Sequence, residues 1–395
     1  MRCGWWREMA IPLKYNVRSL LVRRLSTAMT AGGIALVVAV FVIVMAMVAG
    51  LGSSITDTGS PDNLVVVRKG STTETASALN LSQFEALKYL SQIQRDAAGN
   101  PLVSLELPVQ ILMQRVGGSS DNVIVRGVQP VALHVHQNLH IIQGRMFNPA
   151  LNEVIIGKGL VGRYANTALG ATMQFGRGEW KVVGIFDAGG SSFESEIWAD
   201  IHNLQDDAQR GAYYACARLK VGVGTDIDKL IRRIADDPRI NLQAQKETDY
   251  YKDQSVVANQ LRALGMVVAM IMGIGAVFAA MNTMYASVSA RTTEIGTLRA
   301  IGFRPDAVMG SFLLESLALS LAAGLIGVIL ALPINGLSTT FSNFLTFSTI
   351  AFAFRVTPTV VLQALIFAAV MGVLGGWLPA RQAMKRQVVE ALRKG

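Results

Sequence analysis

Charge is scarce in this sequence. Only 16% of its 395 residues are Asp, Glu, Lys or Arg, well below the roughly 25% of a soluble globular domain. Hydrophobic residues make up 51%, so the apolar excess is expected in membrane spans rather than in one large core. Cysteine is nearly absent: Cys3 and Cys216 are the two in the chain, which excludes a disulfide framework and a cysteine-based metal motif. Cys3 follows Arg2 with no apolar stretch before it, which argues against a lipoprotein-type acylation site. The P-loop pattern Gly-x-x-x-x-Gly-Lys-Ser/Thr does not occur. Its nearest fragments, Gly157-Lys158-Gly159 and Arg68-Lys69-Gly70-Ser71-Thr72, lack the glycine spacing. There is no Gly-x-Ser-x-Gly elbow and no His-Glu-x-x-His helix. Internal repeats and low-complexity segments are also missing. The chain is therefore not read as an enzyme, and no catalytic, cofactor-binding or metal-ligating residue is assigned.

What is present is a set of long apolar runs. Residues 28–51, 263–290, 307–334 and 359–378 are each long enough to cross the roughly 30 Å hydrocarbon core of a bilayer as a helix. The first, at 24 residues, would be roughly 36 Å long. It is too long for a signal-peptide core and is preceded by an unusually long basic region, so an uncleaved span is expected. Before it, residues 1–27 place Leu13, Val17, Leu20 and Leu21 at helical spacing, with Trp5 and Trp6 nearby. That pattern fits an amphipathic helix at the membrane surface; a plain basic tail is the alternative.

Residues 52–262 differ in kind, with frequent charges and no spanning run. Strand-like segments fall at 63–67, 102–107, 109–116, 122–127, 153–156 and 180–186, and helix-like ones at 81–93 and 226–235. Two β-α-β arrangements, at 62–108 and 212–244, flank a β-rich middle. The economical reading is one α+β module with a β-rich insertion at about 109–211. Residues 247–262 read as a helix running directly into the second span. Residues 335–358 read as a connecting loop carrying Phe341, Phe344, Phe347, Phe352 and Phe354, aromatics that suit a membrane interface.

The fold class is then a membrane protein of four transmembrane α-helices with a large α+β extracytoplasmic domain between the first and second. Charge orients it. Segments 1–27, 291–306 and 379–395 carry net +5, +1 and +4, while the whole chain is +9, so the remainder is −1. All three basic segments fall on one side of a four-span chain. The positive-inside rule puts them, and both termini, in the cytoplasm. The basic balance is a topology signal and not a nucleic-acid footprint.

Three clusters deserve a chemical reading. His134 and His136 would share a face if they lay on a strand, with His140 close by, but no acidic or cysteine ligand accompanies them. Asp187, Glu194, Glu196 and Asp200 form an acidic run around Gly189-Gly190-Ser191-Ser192 and are read as a solvated loop. Glu315 is an ionisable group at the edge of a span; such groups are costly and often functional. It is read either as a coupling residue or as a helix-end carboxylate paired with a cytoplasmic arginine.

The segment Arg291-Thr292-Thr293-Glu294-Ile295-Gly296-Thr297-Leu298-Arg299-Ala300-Ile301-Gly302 follows the second span and is stopped by Gly302 and Pro305. With Glu315, Gly324 and Gly327, and with Pro379-Ala380-Arg381 and Glu390-Ala391-Leu392-Arg393 near the end, it resembles the permease subunits of MacB/FtsX-type (type VII) ABC transporters. Asn16-Val17-Arg18, Gly32-Ile34-Ala35, Gly144-Arg145-Met146-Phe147, Glu153-Val154-Ile155-Ile156-Gly157 and Val182-Val183-Gly184-Ile185-Phe186 extend the resemblance over nearly the whole length. The resemblance implies that 291–306 is a coupling helix docking on an ABC ATPase subunit, through Arg291, Glu294, Ile295, Gly296, Leu298, Arg299, Ala300 and Gly302. Ile295 and Leu298 would form its apolar contact face. It also implies a second permease copy or a sister permease, ATP bound by the partner and no cofactor of its own, and a periplasmic adaptor as a further candidate partner beside membrane lipid. The location would be the bacterial inner membrane. The expected activity is mechanotransmission: strokes of a separate ATPase move the external, MacB-like periplasmic core domain for efflux, export or extraction of a lipophilic, peptide or lipoprotein substrate. The alternatives are a regulator of an external cell-wall hydrolase or, in another class, a membrane receptor.

Overall fold

The computed structural model describes residues 24–385 apart from 137, 150, 212 and 344–347. The predicted surface helix up to residue 23, the tail motif beyond residue 385, and Phe344 and Phe347 lie outside the described residues. In chain order, α1 (Arg24–Thr56) is followed by β1 (Asn63–Arg68), α2 (Leu81–Lys88), β2 (Val103–Gln114), β3 (Ser120–Val128) and α3 (Ala132–Val135). Next come β4 (His140–Gly144), β5 (Glu153–Gly157), β6 (Thr172–Phe175), β7 (Gly178–Asp187), β8 (Glu196–Asp200) and α4 (Ile201–Asp207). Then β9 (Cys216–Lys220), α5 (Ile227–Asp236), β10 (Leu242–Lys246), α6 (Glu247–Gln254), α7 (Val256–Ala290) and α8 (Thr292–Ala300) lead to α9 (Pro305–Ala331). The hairpin β11 (Ser338–Asn343) and β12 (Ser348–Ala353) precedes α10 (Pro358–Lys385). Two compact units result. One is Gly50–Asn259 with Leu337–Ala353, and the other holds the described remainder.

The first unit is built on one sheet, ordered β10-β1-β9-β2-β3-β8-β5-β7-β4, with β6 paired to β7. Neighbours are antiparallel except β3 with β8 and β5 with β7. Strand alternation sorts the side chains. Leu105, Ala217, Leu219 and Leu242 share an apolar face with Phe84 and Leu87 of α2 and Leu230 and Ile234 of α5. Further along, Val123, Val125, Val154, Ile156, Trp180 and Ile197 form a second apolar cluster. Local capping agrees with this packing. Asn80 and Gln83 form a reciprocal capping box at α2, and Asp226 accepts the Lys229 backbone N–H at the start of α5.

Several sequence expectations are corrected here. The segments 102–107 and 109–116 are one strand, β2, and Pro108 lies inside it. The Glu106 carbonyl accepts from the Ala215 N–H, so alternation turns Pro108 to that same side, where the pairing with β9 has already ended. A missing N–H costs nothing there. The expected boundary at residue 109 thus falls within a continuous strand, and the middle segment shares its sheet with the two ends. The helix expected at 81–93 stops at Lys88. The single helix expected from residue 247 into the second span is broken at Ser255 into α6 and α7.

The segment 335–358 is not an open interfacial loop. Its hairpin belongs to the α+β unit. The Ala351 N–H donates to Ser195 Oγ at 2.7 Å, and Arg163 Nη1 donates to the Thr339 carbonyl at 3.2 Å. Ile350 and Phe352 are buried, so β12 uses its apolar residues to pack on protein. A Cβ on Gly50 would fall 2.0 Å from the Ala353 carbonyl oxygen; this approach requires glycine.

The second unit is helical. Among the described residues, four stretches are long and apolar enough to cross a membrane: Thr27–Thr56, Glu247–Ala290, Pro305–Ile334 and Pro358–Met384. Ile34, Val38 and Val42 of α1 meet Ala276 and Ala280 of α7, Ala323 and Val328 of α9, and Ala364, Ala368 and Met371 of α10. Small residues let the backbones close in. A Cβ on Gly327 would lie 2.5 Å from the Ala35 carbonyl oxygen. Ser316 Oγ donates to the Gly372 carbonyl at 2.6 Å, tying α9 to α10.

Candidate coupling site and a buried charge cluster

The helical unit carries α8 as a short, largely polar segment between two long helices. Glu294 lies in its first turn and Arg299 in its last, each complementing the helix dipole. Gly302, at φ +110°, closes it. Its N–H reaches the Arg299 carbonyl and the Phe303 N–H reaches the Leu298 carbonyl, both at 3.1 Å. This is a Schellman stop. Pro305 then opens α9 at its first position.

The side chains of α8 divide into two sets. Ile295 and Gly296 are buried, and Ile295 packs with Met284, Val288, Val308, Phe312, Ala380 and Ala383. The expectation that Ile295 faces a partner is therefore corrected: it anchors the helix inward. Leu298 is half-buried. Arg299 Nη1 donates to the Met384 carbonyl at 3.0 Å, fastening α8 to the end of α10. The outward set is Thr293, Glu294, Thr297, Ala300, Ile301 and Gly302. Glu294, Thr297 and Ile301 fall three and four apart and so share one stripe. Ile301 is 73% exposed. Ile301 was not among the residues expected on this face, although its place four after Thr297 was a readable signal.

Behind α8, Arg291 Nη1 donates to Glu315 Oε2 at 3.0 Å, and Arg291 also lies over the Phe312 ring at 6.0 Å. Glu315 is 4% exposed. Arg291 and Glu315 therefore form one ion pair that ties the start of α8 to α9. This matches the paired-carboxylate reading of Glu315.

The α+β unit holds a second ionic site that the sequence did not announce. Arg126 of β3 is fully buried and makes paired hydrogen bonds to Glu196 of β8, both at 2.7 Å. It also reaches Glu74 at 2.9 Å and Glu106 of β2 at 3.0 Å. Arg218 of β9, also fully buried, binds Glu106 at 2.7 Å, Glu74 at 3.0 Å, and Glu247 of α6. It donates to Tyr251 Oη at 3.0 Å. His136 Nε2 lies 2.7 Å from Glu106 Oε1. The Phe193 ring sits 5.3 Å from both guanidinium carbons.

Register explains the convergence. Glu106 faces Cys216, Ser104 faces Arg218, Ile124 faces Glu196 and Arg126 faces Trp198 across neighbouring strands. These residues occupy one face of the sheet, opposite the apolar one. Elements carrying Glu74, His136, Phe193 and Tyr251 cover that face, so residues that alternate as if solvated are in fact buried.

Burial works to raise the Glu74 carboxyl, but the Arg126 and Arg218 charges outweigh it and hold it at about 2. Burial likewise opposes ionisation of Glu106, and Arg218, His136 and Arg126 hold it well below the usual range. Burial pushes the Cys216 thiol up, and the nearby Glu74 and Glu106 add to this. Glu74, Glu106 and Cys216 bring potential ligand atoms within 4.8 Å of one another. Their carboxylates already serve two guanidiniums, whose charge would oppose a metal ion.

The other sequence clusters are also relocated. His136 follows the short helix α3 instead of lying on a strand, and His134 and His140 are exposed. The acidic run is not a solvated loop. Glu194 is buried and accepts from the Ala188 and Gly190 N–H groups, Asp200 caps α4, and Asp187 pairs with Lys158 at 2.6 Å.

The spans and the sheet-built domain between them define a membrane permease. A family model described as the MacB-like periplasmic core domain matches residues 27–237, and one described as the FtsX-like permease C-terminal matches residues 266–388. The chain belongs to the MacB/FtsX-type permeases of ABC transporters. It is 29% identical over 265 residues to a macrolide export ATP-binding/permease protein of Chlorobium luteolum, covering 62% of this chain and 37% of that one. It is 25% identical over 431 residues to a pyoverdine export ATP-binding/permease protein of Pseudomonas entomophila, covering 99% of this chain and 61% of that one. The chain thus spans less than two thirds of the length of these relatives. The periplasmic region of MacB from Actinobacillus actinomycetemcomitans aligns over 50% of this chain and 94% of that one, at 14% identity and a TM-score of 0.39.

Proposed function

We propose that this chain couples ATP hydrolysis by an ABC ATPase to movement of its α+β unit, by mechanotransmission across a bacterial inner membrane. The single observation that carries this reading is the exposed stripe of α8. Glu294, Thr297 and Ile301 are presented outward, while Ile295, Arg299 and the Arg291–Glu315 pair hold the helix from behind. A helix held on one side and exposed to solvent on the other can serve as a lever with a docking face. Ile301 supplies the apolar anchor and Glu294 an anionic contact for a basic groove.

The positive-inside rule, applied to the basic segments, supports a cytoplasmic location for α8 and both ends of the chain, where ATP is available. The relatives are named for export of macrolides and pyoverdine, which supports a lipophilic, peptide or lipoprotein cargo, with a periplasmic adaptor as a candidate partner. The apolar outer surface of α7, including Leu264, Val267, Ile271 and Phe278, suits lipid or a second permease copy. The test is co-expression with an ABC ATP-binding subunit. Wild-type chain is expected to recover that subunit in a stable complex. Recovery undiminished by Glu294→Lys and Ile301→Asp together would refute docking through this stripe.

A further inference from the structure

The exposed face of α10 changes character along its length. Leu362, Ile366, Val370, Leu374 and Leu378 follow one another at intervals of four and are all exposed, so they form one ridge of the helix. The next position on that ridge is Gln382, and beside it Trp377 is followed one turn later by Arg381. Arg381 is the first charged residue of α10. In a membrane span such a ridge lies against acyl chains, and the tryptophan and the first charge fall at the level of the headgroups.

A groove opens at that level between α10 and α7. At Gly375 the two helices touch: a Cβ there would lie 2.8 Å from Ala280 Cβ and 3.3 Å from the Val277 carbonyl oxygen. About a turn further on, they leave between them a groove of about 540 Å³, lined by Tyr285, Leu378, Arg381 and Gln382. Arg381 and Gln382 are exposed and Tyr285 is half-buried, so all three polar side chains are open to an occupant. Among the described residues Arg381 has no ion-pair partner, and neither the Tyr285 hydroxyl nor the Gln382 amide has a hydrogen bond. No acidic residue lines the groove.

The lining narrows the occupant. A guanidinium takes a phosphate through paired, charge-assisted hydrogen bonds. A phenol and an amide can each donate to and accept from hydroxyls. A zwitterionic headgroup would bring a second cation to a groove that has nothing to neutralise it, whereas basic pockets between spans suit anionic headgroups. We propose that this groove binds one anionic phospholipid with a hydroxylated headgroup, of the phosphatidylglycerol kind. Its phosphate pairs with Arg381, its headgroup hydroxyls meet Tyr285 and Gln382, and one acyl chain lies along Leu378 and Leu374. The site needs α7 and α10 to lie in a bilayer and does not depend on an ATPase partner.

The test uses the full-length chain in detergent micelles, with lipid retention read by native mass spectrometry. Dioleoyl phosphatidylglycerol is the probe; dioleoyl phosphatidylcholine, and glycerol phosphate as a soluble competitor, are the controls. Saturable retention of a single phosphatidylglycerol per chain is expected, with phosphatidylcholine held about fivefold more weakly. Arg381→Gln should raise the Kd for phosphatidylglycerol about tenfold and Tyr285→Phe about threefold. Arg304→Gln, which changes an exposed arginine outside the groove, should leave it unchanged. Equal retention of phosphatidylcholine would overturn the anionic assignment, and displacement by glycerol phosphate at equal concentration would overturn the lipid one. An effect of Arg304→Gln as large as that of Arg381→Gln would reduce binding to general surface charge and overturn the site. No retained phosphatidylglycerol, whether in a monomer or in a dimer whose second copy covers the ridge, would overturn it as well.

Discussion

Two of the sites where the described residues bury charge do so by different rules. In the helical unit Arg291 pairs with Glu315. In the α+β unit two guanidiniums hold four carboxylates, and each arginine touches at least three of them. An isolated contact of that size acts as a latch: its partners can separate. All five N–H groups of Arg126 are engaged in the cluster, so removing it strands several carboxylates at once. The difference teaches where the chain tolerates movement. The latch sits under the proposed lever, and the cluster locks the sheet to α6 and to the turns that cover it.

The largest expected effect follows from breaking the cluster. Arg126→Met leaves Glu196 with neither of its guanidinium bonds and should cost at least about 3–5 kcal/mol, read as a fall in Tm of the full chain. If Arg126→Met were neutral, the cluster would not be the lock described. Next is acid. The Glu74 carboxyl is held at about 2, against 4.5 ordinarily. A depressed carboxyl stabilises the fold above its unfolded value and loses that contribution as pH falls. Unfolding of the α+β unit should therefore set in as pH drops from about 4.5 toward 2, and Glu74→Gln should flatten that dependence in circular dichroism titrations.

Breaking the latch should cost less. Arg291→Met removes the guanidinium from Glu315 and should destabilise by about 3 kcal/mol, while adding Glu315→Gln should restore part of it. Double-mutant recovery of this kind is not expected at Arg126, because no single carboxylate is its sole partner. That contrast in thermal unfolding checks the comparison itself. Smaller still is Gly302→Ala. It forces a Cβ into a backbone at φ +110° and should cost about 1 kcal/mol, loosening the end of α8 without unfolding the bundle.

The two sites also differ in how far the sequence disclosed them. Glu315 stands out because it is a lone carboxylate in an apolar run, and such a residue invites a search for its partner. The spans, α8 and its glycine stop were legible for the same reason, since long apolar runs and helix punctuation are local signals. The cluster was not. Glu106, Arg126, Glu196 and Arg218 sit at alternating strand positions, and that pattern reads as one wet face of a sheet. Covering elements far away in sequence, at Glu74, His136 and Tyr251, turn the wet face into an interior. The β11–β12 hairpin was misjudged similarly, since aromatic residues in a loop between spans look interfacial until Ile350 and Phe352 are seen buried. Ile295 was misassigned because a short polar helix with two large apolar residues does not reveal which of them its own bundle takes.

The central claim is that α8 is a lever with a docking face, and Ile301 tests it most directly. Ile301→Asp changes an exposed side chain, so its effect on unfolding should stay within about 0.5 kcal/mol. In the complex with an ABC ATP-binding subunit, measured as co-purification and as ATPase rate in one preparation, the variant should lose both recovery of the subunit and its dependence on the permease. A variant that folds normally, retains the ATPase and stimulates it as wild type does would contradict the account.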